Sequence, residues 1–136
     1  GEDIPHSGIV KRNNRLIISY VSQNTSDLDG NLSEYADKHR IEESLFKSLL
    51  RKLDFSREQF EKNIEDFSGG QKKKVLLAKS LCERAHLYIW DEPLNFIDVI
   101  SRMQIEKLLI EHEPTILFVE HDSTFCENVA TKTIQL

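Results

Sequence analysis

Residues Leu87–Pro93 read LYIWDEP, and the architecture follows from this stretch. The run is short and apolar and ends in two acids and a proline. That is the pattern of a strand buried on both faces of a parallel sheet, with its acidic residues emerging at the carboxyl end. Thr115 to Val119 (TILFV) repeats the pattern, and Glu120-His121-Asp122 follows it. Between the two strands Asp98 can cap a helix whose apolar positions include Ile105, Leu108 and Leu109, and Pro114 stops it. Strands alternating with helices imply right-handed crossovers and a layered α/β sheet.

Towards the amino terminus, Gly1 to Gly8 is turn-rich, with Pro5 and Gly8 as punctuation. Ile9-Val10-Lys11 and Arg15 to Ser22 (RLIISYVS) read as two strands joined by the turn dipeptide Asn13-Asn14. Gln23 to Gly30 is polar and turn-like, which places Gln23 at the carboxyl end of a strand. From Ile41 the period changes. Ile41, Leu45 and Leu49, with Phe46, Leu50 and Leu53, fall at spacings of three and four and predict one apolar helix face. Ser56 and Gln59 form a capping box for a second short helix reaching Ile64. A further helix runs from Ser68 to about Arg84, so residues 31–64 read as an all-helical insertion before it. After Asp122 we expect a short helix and then an edge strand over Thr131–Gln135.

A chain of 136 residues suits one domain with one core. Charged residues make up 30% and hydrophobic ones 39%, a globular balance and not a disordered one. The net charge of -5 argues against general attraction to nucleic acid or anionic membrane. No apolar run approaches the roughly 18 residues that span a bilayer, and the amino terminus does not resemble a signal peptide. Cys82 and Cys126 lie outside any Cys-x-x-Cys spacing and read as reduced, buried thiols of a cytosolic protein.

In α/β sheets, ligands sit beyond the carboxyl ends of the strands. Gln23, Asp91-Glu92 and His121 each follow a predicted strand, so three polar sites converge on one edge. Adjacent carboxylates repel, and at a buried strand end they suit a cation or base function. In phosphoryl transfer one such Asp holds Mg²⁺, and a neighbouring carboxylate orients and deprotonates the attacking water. Ser68-Gly69-Gly70-Gln71 has two readings. It is a capping box, and its glycines also expose helix N–H groups to a phosphate. Lys72-Lys73-Lys74 reads as a solvated helix face. The 5 histidines show no metal-ligand spacing, which rejects zinc. A hydrolase triad has no Gly-x-Ser-x-Gly to support it.

FSGGQ (Phe67–Gln71), LYIWDEP (Leu87–Pro93), LNFID (Leu94–Asp98) and EHD (Glu120–Asp122), with YVSQ (Tyr20–Gln23) ahead of them, resemble the ordered motifs of ABC-type ATPases. They would be the signature, Walker B with its catalytic glutamate, D-loop, switch histidine and Q-loop. The resemblance covers nearly the whole chain. It implies a P-loop NTPase-like α/β core, about 1–30 and 86–136, with a helical signature subdomain over about 31–85. It implies ATP and Mg as cofactors, with Glu92 and His121 catalytic and Asp91 and Gln23 at the metal. Gln23, Ser68, Gly69, Gly70, Gln71 and Asp98 would contact nucleotide.

The family's first strand and Gly-x-x-x-x-Gly-Lys-Ser/Thr loop have no counterpart here, and GEDIPHSG resembles the segment that follows the P-loop helix. We therefore expect a partial domain, residues 1–136, corresponding to the carboxyl-terminal two-thirds. Alone it should neither bind nor hydrolyse ATP, and an uncovered sheet face should promote self-association. The implied partner is a second ABC ATPase domain facing it head to tail, whose nucleotide the Ser68 helix mouth closes over. LNFID, SRMQIE and VEHD look most like the second ATPase domain of antibiotic-resistance ABC-F proteins, which are cytoplasmic and act on the ribosome. The alternative is the motor subunit of a membrane ABC transporter. An SMC-like protein is excluded, because its long coiled coil has no room between Gln23 and Ser68.

Overall fold

The computed structural model describes residues 4–5, 7–9, 11, 13–26 and 28–135. Strand β1 (Ile18–Val21) leads into a helical segment. It comprises α1 (Leu32–Lys38), α2 (Glu43–Lys52), two 3-10 turns (Arg57–Glu61 and Ile64–Asp66) and α3 (Gly69–Cys82). Strand β2 (Leu87–Asp91), helix α4 (Val99–His112), strand β3 (Ile116–Val119) and helix α5 (Ser123–Val129) follow. The three strands are parallel in the order β1-β2-β3, with Val21, Trp90 and Phe118 side by side.

Local chemistry accounts for most element ends. Asn31 caps α1 in a reciprocal box with Glu34, and Asp98 caps α4 by accepting from the Ser101 N–H. Asp122 does the same for α5 through the Phe125 N–H. In α2 the buried residues are Phe46, Leu49 and Leu50, and Leu53 follows them into the core. Leu45, expected on that face, is exposed. The Ser56–Gln59 box forms, but it starts a 3-10 turn ending at Glu61 and not an α-helix to Ile64. Helix α1 begins well before Ile41, within the insertion read as helical.

Two expected strands do not occur among the described residues. Ile9 and Lys11 lie outside any strand, and Val10 is outside the described residues, as are Gly1–Asp3 and His6. Residues 131–135 are irregular and exposed, with Ile134 73% accessible. A strand exists only by pairing, and among the described residues neither segment pairs with β1, β2 or β3.

A third correction concerns the sheet faces. Ser19, Val21 and Trp90 are buried, on the face where α3 and α5 pack. Trp90 reaches Ser80 of α3, and Phe118 meets Phe125 of α5 with centroids 5.4 Å apart. Ile18, Tyr20, Leu117 and Val119 occupy the other face and are open, Leu117 at 60% and Tyr20 at 53%. The strands are therefore buried on one face, because the helices lie on one side. An exposed apolar patch is expected from the sequence near Leu87–Trp90 and Ile116–Val119. Leu117 and Val119 are open, but Trp90 is buried because α3 covers its face of the sheet. Across the covered side runs a polar seam. The Trp90 indole N–H donates to Ser80 Oγ at 2.9 Å, Ser80 and Ser19 hydroxyls meet at 2.6 Å, and Ser19 donates to Glu83. Each buried polar atom in it has a partner, as a dry interior requires.

Candidate functional site

Beyond Asp91 the chain turns sharply. Glu92 and Phe96 sit at φ 45 and 62, left-handed conformations that cost a non-glycine residue about 1–3 kcal/mol each. The neighbouring strand end holds the turn in place. The Glu92 N–H donates to the Val119 carbonyl at 2.9 Å, and the Leu94 N–H to the Glu120 carboxylate at 3.1 Å. Pro93 is fully buried beneath it.

This turn brings the predicted residues together in two pairs. Gln23 Nε2 donates to Asp91 Oδ1 at 3.0 Å, joining the end of β1 to the end of β2. His121 Nε2 lies 3.4 Å from Glu92 Oε1, and Asn95 donates to Glu92 Oε2 at 3.3 Å. The His121 side chain is 83% exposed, so it faces the open edge, while Glu92 is held from two sides. One carboxylate, one amide oxygen and open solvent form a donor set that suits Mg²⁺, which keeps several waters and takes substrate phosphates. Among the described residues no group of three or more His, Cys, Asp or Glu could hold a metal. When bound, such a cation would neutralise phosphate charge; Asp91 and Gln23 are the residues placed to meet it.

Ser68, Gly69, Gly70 and Gln71 open α3. The capping box is present: the Gln71 N–H donates to Ser68 Oγ at 3.3 Å, and the Ser68 N–H to Gln71 Oε1 at 2.9 Å. The two glycines differ. A Cβ at Gly69 would meet nothing, whereas one at Gly70 would collide with the Phe96 carbonyl. Gly70 thus lets the loop after β2 sit on the helix, and Gly69 leaves the helix mouth open. Gln23, Thr25, Gly69, Lys73, Asn95 and Phe96 line a small pocket of about 70 Å³ between these elements.

The lysine run is not a solvated face. Lys73 is 3% and Lys74 7% exposed. Lys73 donates to the carbonyls of Ser22 and Asp91, each at 3.0 Å, and Lys74 pairs with Asp98 at 2.6 Å. Burial lowers the Lys73 pKa, opposed by the carboxylates of Asp91, Glu92 and Glu120. Asp98 is an anchor between helices: it accepts from Lys74, the Ser101 N–H and the Ser101 hydroxyl. Burial pushes its carboxyl up, but these donors bring it down to about 2.

A carboxyl depressed in the folded state adds stability above its ordinary value of about 4, and that stability is lost as pH falls toward 2. Asp98→Asn should therefore flatten the stability curve between about pH 4 and 2. Urea unfolding at several pH values checks it; an unchanged acid limb would mean that Lys74 does not hold Asp98 in solution. Cys82 and Cys126 are free and half-buried, not fully buried as expected.

These elements define an ATPase cassette. Residues 1–95 match the family described as ABC transporter, and the chain belongs to that family. It is 30% identical to the putative ATP-binding protein YdiF of Bacillus subtilis, over 97% of this chain and 21% of YdiF. It is 34% identical to the ATP-binding protein Uup of Haemophilus influenzae, over 97% of this chain and 22% of Uup. Among solved structures it superimposes on the archaeal ribosome recycling factor aABCE1, crystallised with the ribosomal stalk protein aP1. The TM-score there is 0.73 at 26% identity, covering 93% of this chain and 26% of the other. The chain thus spans about a fifth of the length of these curated relatives. Its fold is that of an ABC cassette, with a parallel sheet and helices. Among the described residues no helix is long and apolar enough to cross a membrane.

Proposed function

We propose that this chain is part of an Mg-dependent ATPase site in the second nucleotide-binding domain of an ABC-F protein, which acts on the ribosome in antibiotic resistance. The observation that carries the ATPase reading is the pairing of Gln23 with Asp91 and of Glu92 with His121 along one sheet edge. Asp91 and Gln23 attend the metal, and Glu92 takes the proton of the attacking water with His121 beside it. Ser68, Gly69, Gly70, Gln71 and Asp98 form the face that meets nucleotide. The β- and γ-phosphates need a Gly-rich loop with its lysine, which these 136 residues do not contain. They are held by a second ATPase domain facing the Ser68 mouth, or by a loop outside the sequence. Residues 31–85 act as the helical signature subdomain, and the α/β core spans 1–30 and 86–136.

The ribosomal reading rests on the LNFID, SRMQIE and VEHD resemblance and on the likeness to a ribosome recycling factor. The intact protein would work in the cytoplasm. Co-sedimentation tests it: the Glu92→Gln protein with ATP should pellet with ribosomes. Recovery with membranes instead would favour a transporter motor, the alternative reading.

The open sheet face supports self-association of the 136-residue chain, because an apolar face and free strand edges attract another copy. Sedimentation should show concentration-dependent association that Leu117→Lys weakens. A chain that stays monomeric at every soluble concentration would remove this reading.

A further inference from the structure

Lys73 stands where three elements meet. It projects from the first turns of α3, and its ammonium joins the residue before Gln23 to the last residue of β2 through two carbonyls at 3.0 Å. At 3% exposure this cation has left water, a costly placement unless its donors are satisfied and negative charge lies near. Two carbonyls accept from it, and Asp91, Glu92 and Glu120 supply the negative charge. A methionine would fill the same space without that cost. The position therefore uses the charge.

We propose that Lys73 is a positioning residue for the metal and nucleotide site. It clamps the ends of β1 and β2 so that the Gln23 amide and Asp91 carboxylate stay in register, and it ties both to the helix that opens at Ser68. A phosphate drawing the Ser68–Gly69 mouth inward then moves the strand ends through a single side chain. This inference rests on the proposed role of Asp91 and Gln23 at Mg²⁺.

The test compares Lys73→Met, Lys73→Arg and Glu92→Gln in the intact ATPase. Lys73→Met should lower kcat by at least about tenfold with KM for ATP nearly unchanged, as misplacement of reacting groups does. The Mg²⁺ concentration for half-maximal activity should rise at least about threefold. Hydrogen exchange should accelerate at residues 22–25 and 91–96 and stay unchanged at 46–53. Lys73→Arg, which keeps the charge, should recover most of the rate. If Lys73→Met does not fold, Lys73→Gln takes its place. Unchanged kcat and Mg²⁺ requirement would overturn the proposal, and so would faster exchange throughout the helical segment with the Mg²⁺ requirement intact. An intact wild-type protein that hydrolyses ATP no faster than Glu92→Gln, both at background, would instead overturn the ATPase reading beneath it.

Discussion

In the intact protein, Glu92→Gln should leave Mg-ATP bound and slow its hydrolysis by roughly a hundredfold or more, the range of a lost general base. The geometry makes this substitution a clean one. Glu92 is fixed by its own backbone, whose N–H reaches Val119, and by Asn95 on one carboxylate oxygen. A glutamine retains both contacts and the left-handed turn at φ 45, so the fold has no reason to change. What disappears is the oxygen that can accept a proton, the one that faces His121 at 3.4 Å. The closed, ATP-loaded form should then accumulate, visible as nucleotide retained through gel filtration. Wild-type turnover in this protein would take Glu92 out of the reaction.

Ser68→Arg should suppress hydrolysis at the facing nucleotide by about a hundredfold, comparable to losing a preorganised donor to the transferring group. The exposed mouth of α3 offers N–H groups and the positive end of the helix to an anion, and an arginine there obstructs the approach. The substitution also removes a cap and should cost about 1 kcal/mol of stability. Ser68→Asp separates the two effects. Aspartate caps as well as serine does, yet its charge repels a phosphate at close range. Hydrolysis should therefore fall in Ser68→Asp while its melting temperature holds. Full activity in both variants would leave Ser68 with capping alone.

The sequence shows the central strands, α3, α4 and the residues at the sheet edge, because apolar runs ending in acids carry their own signal. Faces are harder to read. Ile18, Tyr20, Leu117 and Val119 are as apolar as their buried neighbours, so periodicity cannot say which side of the sheet lies open. Three consecutive lysines sweep across much of a helix circumference, and residue type alone assigns them to water. Phase was the missing argument. Lys73 and Lys74 precede Leu77 and Ala78 by one helical turn, so they share the buried side. Helix α1 was legible too, since Asn31 and Glu34 spell a capping box before a short apolar face. The ends failed for a different reason: the apolar residues near Ile9 and Ile134 fit a strand, but pairing is a tertiary event.

Trp90 is the one tryptophan in the chain and is 1% exposed, with its indole N–H committed to Ser80. It also directly precedes Asp91. The molecule thus carries a fluorophore in a dry, polar-anchored setting one residue from Asp91, the carboxylate proposed to meet the metal. Its emission should be blue relative to free indole and poorly quenched by iodide. A loosening of α3 against the strand would free that N–H and shift the light to the red, so the seam reports motion at the site optically without any attached dye.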